Sequence, residues 1–367
     1  MRRIPRLVRV WAGALALGLA WPVTAQTAPQ PASPPASPPA TSTKSEPDRK
    51  FTFDGQAMGT VVSVFVWTET EAKATRAAEI VFAEMKRIDA LMTTWDPNSE
   101  VSKINAAAGG KPVAVSPETF AVIERAVDVS RRTRGVFDIT VGAFKGLWKF
   151  DEDMDGTLPD PAEVKARLAK VGWSQIALDK KRHTVGLRKK GMSITLGGIA
   201  KGYAVDRCAK LLHDAGYVSF LVQAGGDLYV SGKKGAAPWV VGIRDPRGAH
   251  DAMFALAPIE DHSFSTSGDY ERGFVKDGKR YHHILDPRTG QPAAASRSVT
   301  VRAKDAFTAD AWSKVLFILG WKGTQDLIKR EKLTDFEVVL VDHKNEVHMT
   351  KGLEGVAKLI KQPTPGP

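Results

Sequence analysis

Apolar and polar residues alternate with a period of two from 51 to 67, as strands with a buried face require, and the alternation breaks at Ala57-Met58-Gly59-Thr60. The period then changes. Ala77, Val81, Met85, Ile88 and Met92 recur at helical spacing with charges between them, predicting a helix over 69–92. Ser116-Pro117-Glu118 supplies a cap and a first-turn proline for a helix running to about 134, where Gly135 suits its end. Residues 136–142 read as a short strand or turn carrying one acid, 161–171 as a helix, and 176–187 as a hairpin around a charged turn. A short apolar run over 192–196 ends in Gly197-Gly198 and gives way to a helix through His213, which Gly216 closes. Strands are predicted over 219–222, 239–243 and 298–301, a helix over 305–319, a hairpin from 336–342 and 346–349, and a last helix over 353–360. Strands and helices interleave with no repeat and no proline-rich break between 51 and 360. That predicts an α+β domain with mixed sheets and packed helices, large and of one or two lobes.

The N-terminus is set apart from this pattern. Arg2, Arg3, Arg6 and Arg9 precede a short apolar run, and Val23-Thr24-Ala25 offers small residues for cleavage, so 1–25 reads as a secretory signal peptide. Arg2-Arg3 hints at twin-arginine export, but Ile4-Pro5 follows poorly and favours the general secretory route. Residues 26–50 are rich in Pro, Ala, Ser and Thr and read as a disordered linker, because they hold too few apolar side chains to offset their ordering entropy. Residues 362–367 read as a disordered tail. The 367 residues carry a formal charge of +11, and seven basic against two acidic groups fall in the first 50. The remaining excess is diffuse, which gives no case for nucleic acid. Cys208 is the single cysteine, so no internal disulfide can form.

The candidate chemistry lies at glycine turns. A strand that turns through Gly197-Gly198 into a helix gathers backbone N–H groups and the positive end of the helix dipole, a place for a phosphate, and Lys201 can add a full charge. The spacing is neither a P-loop nor a dinucleotide fingerprint. Ala224-Gly225-Gly226-Asp227 is a second such turn at a strand end. Residues 264–272 are dense in hydroxyls and charge. His282 and His283 are adjacent on a strand, point to opposite faces and cannot chelate one metal. Asp310 and Lys314 share a helix face, and the plain reading is a surface ion pair. Trp95 is either a hydrophobic plug or a stacking face for a planar ligand. No Gly-x-Ser-x-Gly elbow supports a serine hydrolase.

Taken in order, Ala57–Thr60, the Ser99-Glu100 loop ending in Asn105, residues 135–142, 196–206, Gly225-Gly226-Asp227, Ser267-Gly268-Asp269-Tyr270, 283–290 and 308–312 closely resemble the ApbE family of FAD:protein FMN transferases. The resemblance covers essentially 51–360 and sets an expected domain over 51–361. It implies a T-fold type of α+β structure, FAD as substrate, Mg2+, and transfer of FMN from FAD to a Ser or Thr of an acceptor flavoprotein in a redox or electron-transfer system, with release of AMP. By position it implies His283 as the catalytic base for the acceptor hydroxyl. Met58, Trp95 (where the family usually has Tyr), Phe137, Asp138, Thr195, Lys201, Asp227, Ile284 and Leu285 fall at flavin or FAD contacts. Gly198, Asp310, Ser313 and Lys314 fall at the metal site.

Three departures change the picture, the least of them Ser313 where some members have Asp. The family commonly has Asp at the position of Thr195, and Thr at the position of Lys314, so a carboxylate is lost and an ammonium is gained. These open two alternatives, a non-catalytic FAD-binding protein and a FAD pyrophosphatase. The resemblance and the leader together imply an exported protein with no transmembrane helix in its mature form, free in the periplasm or peripheral at the outer face of the inner membrane.

Overall fold

The computed structural model describes residues 47–150 and 153–366; the expected signal peptide and most of the expected linker lie outside the described residues. Eight strands form one sheet whose spatial order is their chain order: β1 (Arg49–Ala57), β2 (Thr60–Thr68), β3 (Phe220–Ala224), β4 (Asp227–Ser231), β5 (His262–Gly268), β6 (Ser296–Ala303), β7 (Phe336–Asp342) and β8 (Val347–Met349). Every neighbouring pair is antiparallel, so the expectation of mixed sheets is corrected. The reason is connectivity. Each strand is followed by its own sheet neighbour, so every connection, hairpin or long excursion, must return to the end of the sheet it left.

Among the described residues the excursions carry six α-helices: α1 (Glu71–Met92), α2 (Glu100–Ala106), α3 (Pro117–Arg132), α4 (Pro161–Leu168), α5 (Ala200–Asp214) and α6 (Ala306–Glu331). Helices α1, α5 and α6 lie side by side on one face of the sheet. Val62, Val64 and Val66 of β2, Val299 and Val301 of β6, and Val338 and Leu340 of β7 are buried beneath them. Val339 and Val341 point the opposite way, joining Leu221, Val230 and Phe264 under a small sheet of Trp239–Arg244, Met253–Ile259 and Lys358–Leu359. Alternate residues of one strand thus fill two cores, which is why the middle of β7, Val338 to Val341, is apolar at every position. A third cluster of Phe144, Leu147, Trp148, Phe150 and Val164 packs against Phe274 and Tyr281 of a two-stranded hairpin, and Trp148 Nε1 donates to the Gly290 carbonyl at 3.0 Å. This cluster holds the 283–290 segment in place.

Four local expectations are corrected. The stretch from Ser99 to Asn105, expected as a loop, is helical over Glu100–Ala106, with the Ser99 hydroxyl accepting from Ser102 N. Residues 136–142 form no strand: Ile139–Phe144 is a 3-10 helix, begun by the Asp138 side chain, which accepts from the Thr140 N–H. The helix expected over 353–360 is a series of turns followed by a two-residue strand, and Gly355 sits at φ +80 within it. The end of the chain is anchored, since Thr364 donates from its N–H and its hydroxyl to the buried Asp245.

Candidate active site

The turn that begins α5 is built by its neighbours. Asn105, at the end of α2, accepts from Ile194 N at 2.8 Å and donates to Ile194 O at 2.9 Å, pairing with residue 194 as a strand would. Thr195 N donates to Ile139 O at 2.8 Å. The Thr195 hydroxyl turns back on its own loop and accepts from Gly197 N at 3.3 Å. Gly198 lies against Phe137, whose ring stands 3.5 Å from where a side chain on Gly198 would begin. No side chain caps the start of α5 at Ile199. One of the N–H groups of its first turn, Gly202 N, donates to Asp310 Oδ2 at 3.0 Å. A Cβ at Gly202 would lie 2.4 Å from the Ala306 carbonyl, so α5 and α6 can approach this closely only at glycine.

Four charges meet at that crossing. Lys201 Nζ lies 2.7 Å from the buried Asp227 Oδ2 and forms an ion pair with it. Asp227 Oδ1 accepts from the Ser265 hydroxyl at 2.5 Å. The Lys314 ammonium pairs with Asp310 Oδ1, and Asp310 is fully buried. The Ser313 hydroxyl lies 3.2 Å from that of Ser265 and 2.8 Å from that of Ser267. The cluster is assembled by register: Asp227 of β4 stands opposite Ser265 of β5, and α6 lies over both. Burial works against the Lys201 ammonium, but Asp227 and Asp310 outweigh it and hold its pKa above the usual lysine range. Burial also opposes the charged form of Asp227, and Lys201 and Lys314 overcome it to hold that carboxyl low. For Asp310, burial and the Asp227 charge together push the carboxyl up.

The walls around the cluster come from the hairpin tip and the 269–285 segment. Met58 and Gly59 both have positive φ, 53 and 67, as a two-residue turn matching strand twist requires. For Met this costs about 1–2 kcal/mol; its N–H is held by Asp89 Oδ2 at 3.1 Å. Arg272 Nη2 reaches Gly59 O at 3.3 Å, linking the tip to the segment that carries His283. His282 is buried, with Nε2 2.8 Å from the Ala293 carbonyl and Nδ1 accepting from Ile284 N. His283 keeps an exposed edge, and its Nδ1 faces the Arg272 carbonyl at 3.4 Å. A carbonyl only accepts, so Nδ1 carries the proton and Nε2 is left with its lone pair. Crowding around the ring, then His282 and Arg272, hold its pKa below the usual imidazole range. Ile284 is buried beside it, and Leu285 pairs with Pro292.

Two predicted contacts stand apart from the charged cluster. The Asp138 carboxylate is taken up within its loop, accepting from Thr140 N and Oγ1 and from Trp173 N at 2.6–2.8 Å. Trp95 is 78% exposed, with the Lys145 ammonium 4.0 Å over its ring; it is no hydrophobic plug. Sequence reasoning gave no role to Asn105, Ser265, Ser267 or Arg272, although all lie in the motifs it singled out. The signal was the density of hydroxyls in 264–272.

The oxygen donors suit a hard cation in type. In arrangement they do not fit Mg2+, because each of the two carboxylates already holds an ammonium. A separate hollow of about 490 Å³, lined by Arg125, Arg131, Arg132 and Trp312 among others, opens on the other side of α6 and shares no residue with the cluster.

The model of the ApbE family matches residues 58–340. A FAD:protein FMN transferase of Klebsiella pneumoniae is 34% identical over 302 residues, covering 82% of this chain and 92% of that protein. One of Treponema pallidum is 34% identical over 297 residues, covering 77% and 82%. Among solved structures, the ApbE protein of Thermotoga maritima superposes with a TM-score of 0.76 at 34% identity, covering 84% of this chain and all of that one. The flavin transferase ApbE of Vibrio cholerae gives 0.74 at 26%, with the same coverage. With its strands, glycine turns and charged crossing in place along that whole span, the chain belongs to the ApbE family.

Proposed function

We propose that this protein is a FAD:protein FMN transferase. The reading is supported by the names its relatives carry and by one observation above all, the meeting of Lys201, Asp227, Asp310 and Lys314 where an uncapped helix begins. In the reaction the hydroxyl oxygen of an acceptor Ser or Thr attacks the FMN phosphorus. A P–O bond to the acceptor forms, the P–O bond to the AMP phosphate breaks, and the hydroxyl proton is removed.

In this reading His283 Nε2 takes that proton, and the Arg272 carbonyl fixes the tautomer that allows it. The Lys201 ammonium and the first N–H groups of α5 neutralise the pyrophosphate oxygens. Asp227 and Ser265 aim Lys201, while Trp95, Met58, Phe137, Ile284 and Leu285 offer surface to the flavin. No step is assigned to Mg2+.

Incubation of the purified protein with FAD and a candidate acceptor flavoprotein tests the proposal. The acceptor should gain the mass of an FMN ester as AMP appears. Free FMN with an unmodified acceptor would make the protein a FAD pyrophosphatase, and binding without AMP release would make it a flavin carrier. We also propose that the chain is exported to the periplasm on the strength of its basic, then apolar, leader. No helix among the described residues is long and apolar enough to cross a membrane. Cell fractionation that leaves the protein in the cytoplasm would refute the export.

A further inference from the structure

We infer that Lys314 takes the place of a divalent cation, so that this protein holds its pyrophosphate substrate without a metal; the choice of substrate rests on the transferase reading. Helical spacing puts Lys314 one turn after Asp310, and the ammonium closes on Oδ1 of that fully buried carboxylate with the Ser313 hydroxyl 3.4 Å away. The other oxygen of Asp310 is held by Gly202 N. Asp227 is matched in the same way, by Lys201 on one oxygen and Ser265 on the other. Two acids and two ammoniums sum to no net charge before any ligand arrives. A hard divalent ion needs carboxylate oxygens it can approach in near-octahedral geometry, and here it would have to displace a resident ammonium or sit beside two of them. A lysine at this point supplies what the ion would, a positive charge fixed beside the phosphates, on a stem long enough to turn from Asp310 to a bound pyrophosphate.

The test uses the full chain and two probes, Mn2+ alone followed by electron paramagnetic resonance, and FAD followed by flavin fluorescence in EDTA or in millimolar Mg2+. The wild type should bind no Mn2+ at the cluster, and its FAD affinity should be the same in both conditions. Lys314→Thr should acquire a Mn2+ site that Asp310→Asn abolishes. It should also lose about tenfold in FAD affinity in EDTA and recover it with Mg2+. Lys314→Arg should behave as the wild type. If Lys314→Thr fails to fold without metal, a melt restored by Mn2+ supports the inference equally. A wild-type Mn2+ signal lost in Asp310→Asn overturns it, as does wild-type FAD affinity that falls about tenfold in EDTA. The Asp310 control separates the cluster from the surface group of Asp342, Glu346 and His348. Absence of FAD binding under every condition would sink the transferase reading, while the Mn2+ experiment would still decide the role of Lys314.

Discussion

In the proposed reading His283 offers Nε2 as the base, because the Arg272 carbonyl can only accept a hydrogen bond from Nδ1–H, and the crowding and cations around the ring hold its pKa low. The sign of the pH effect follows. An imidazole held below its ordinary value of 6.5 stays unprotonated as the pH falls, so the acid limb of kcat should lie below 6.5. Removing a cation with Arg272→Gln should move that limb upward, and a limb that stays put would exclude the coupling. His283→Asn should lower transfer by about a hundredfold or more while FAD affinity changes little. That two adjacent histidines differ in exposure was legible from strand geometry; the choice of His283 for the site came from the family resemblance alone. At Asp310 and Lys314, helical spacing gave the pair, but only the sheet beneath α6 turns a plain surface ion pair into a buried one.

Helices α5 and α6 position the site through two contacts. Gly202→Ala should destabilise the fold by about 1–3 kcal/mol, because the new methyl meets the Ala306 backbone and Asp310 Cβ and neither can retreat. An unchanged denaturant midpoint would mean that the helices slide apart at no cost. Asp206 of α5 accepts from Ala306 N at 2.6 Å and Phe307 N at 2.9 Å, capping the start of α6 from outside it. Burial raises its carboxyl from 3.8 to about 7 in the fold. The folded state therefore holds the proton more tightly, and this contribution to stability is lost as pH rises through that window. Wild-type stability should fall relative to Asp206→Asn between those pH values, as thermal melts across the range would record. A constant difference would argue against the raised carboxyl. The helices themselves were legible because α1, α3 and α5 each carry an apolar stripe at helical period. The 3-10 helix after Asp138 and the turns over 353–360 were not, since elements this short are set by single hydrogen bonds and by glycine rather than by a period.

The chain closes on itself at its C-terminal end. Thr364 gives two donors to Asp245, and Asn345 Nδ2 donates to Pro363 O at 2.8 Å. Ending the chain after Lys361 would leave the buried Asp245 short of those donors. It should cost about 1–3 kcal/mol of stability, measurable by denaturant unfolding. Indistinguishable unfolding curves would return the tail to the disorder its composition suggested. Composition misled because a few hydrogen bonds of Pro363 and Thr364, and not an apolar run, make the attachment.

Alternation and helical spacing come from the geometry of the chain itself, so the amino-acid order determined helices α1, α3 and α5, strands β1–β3 and β6–β8 and the glycine turns, but left α2, β4, β5 and the strand Met253–Ile259 unread. Charge pairing depends on distance in space and on exclusion of water. Residues 201, 227, 265, 310 and 314 share no local pattern, and only the antiparallel sheet with α5 and α6 laid across it made them neighbours.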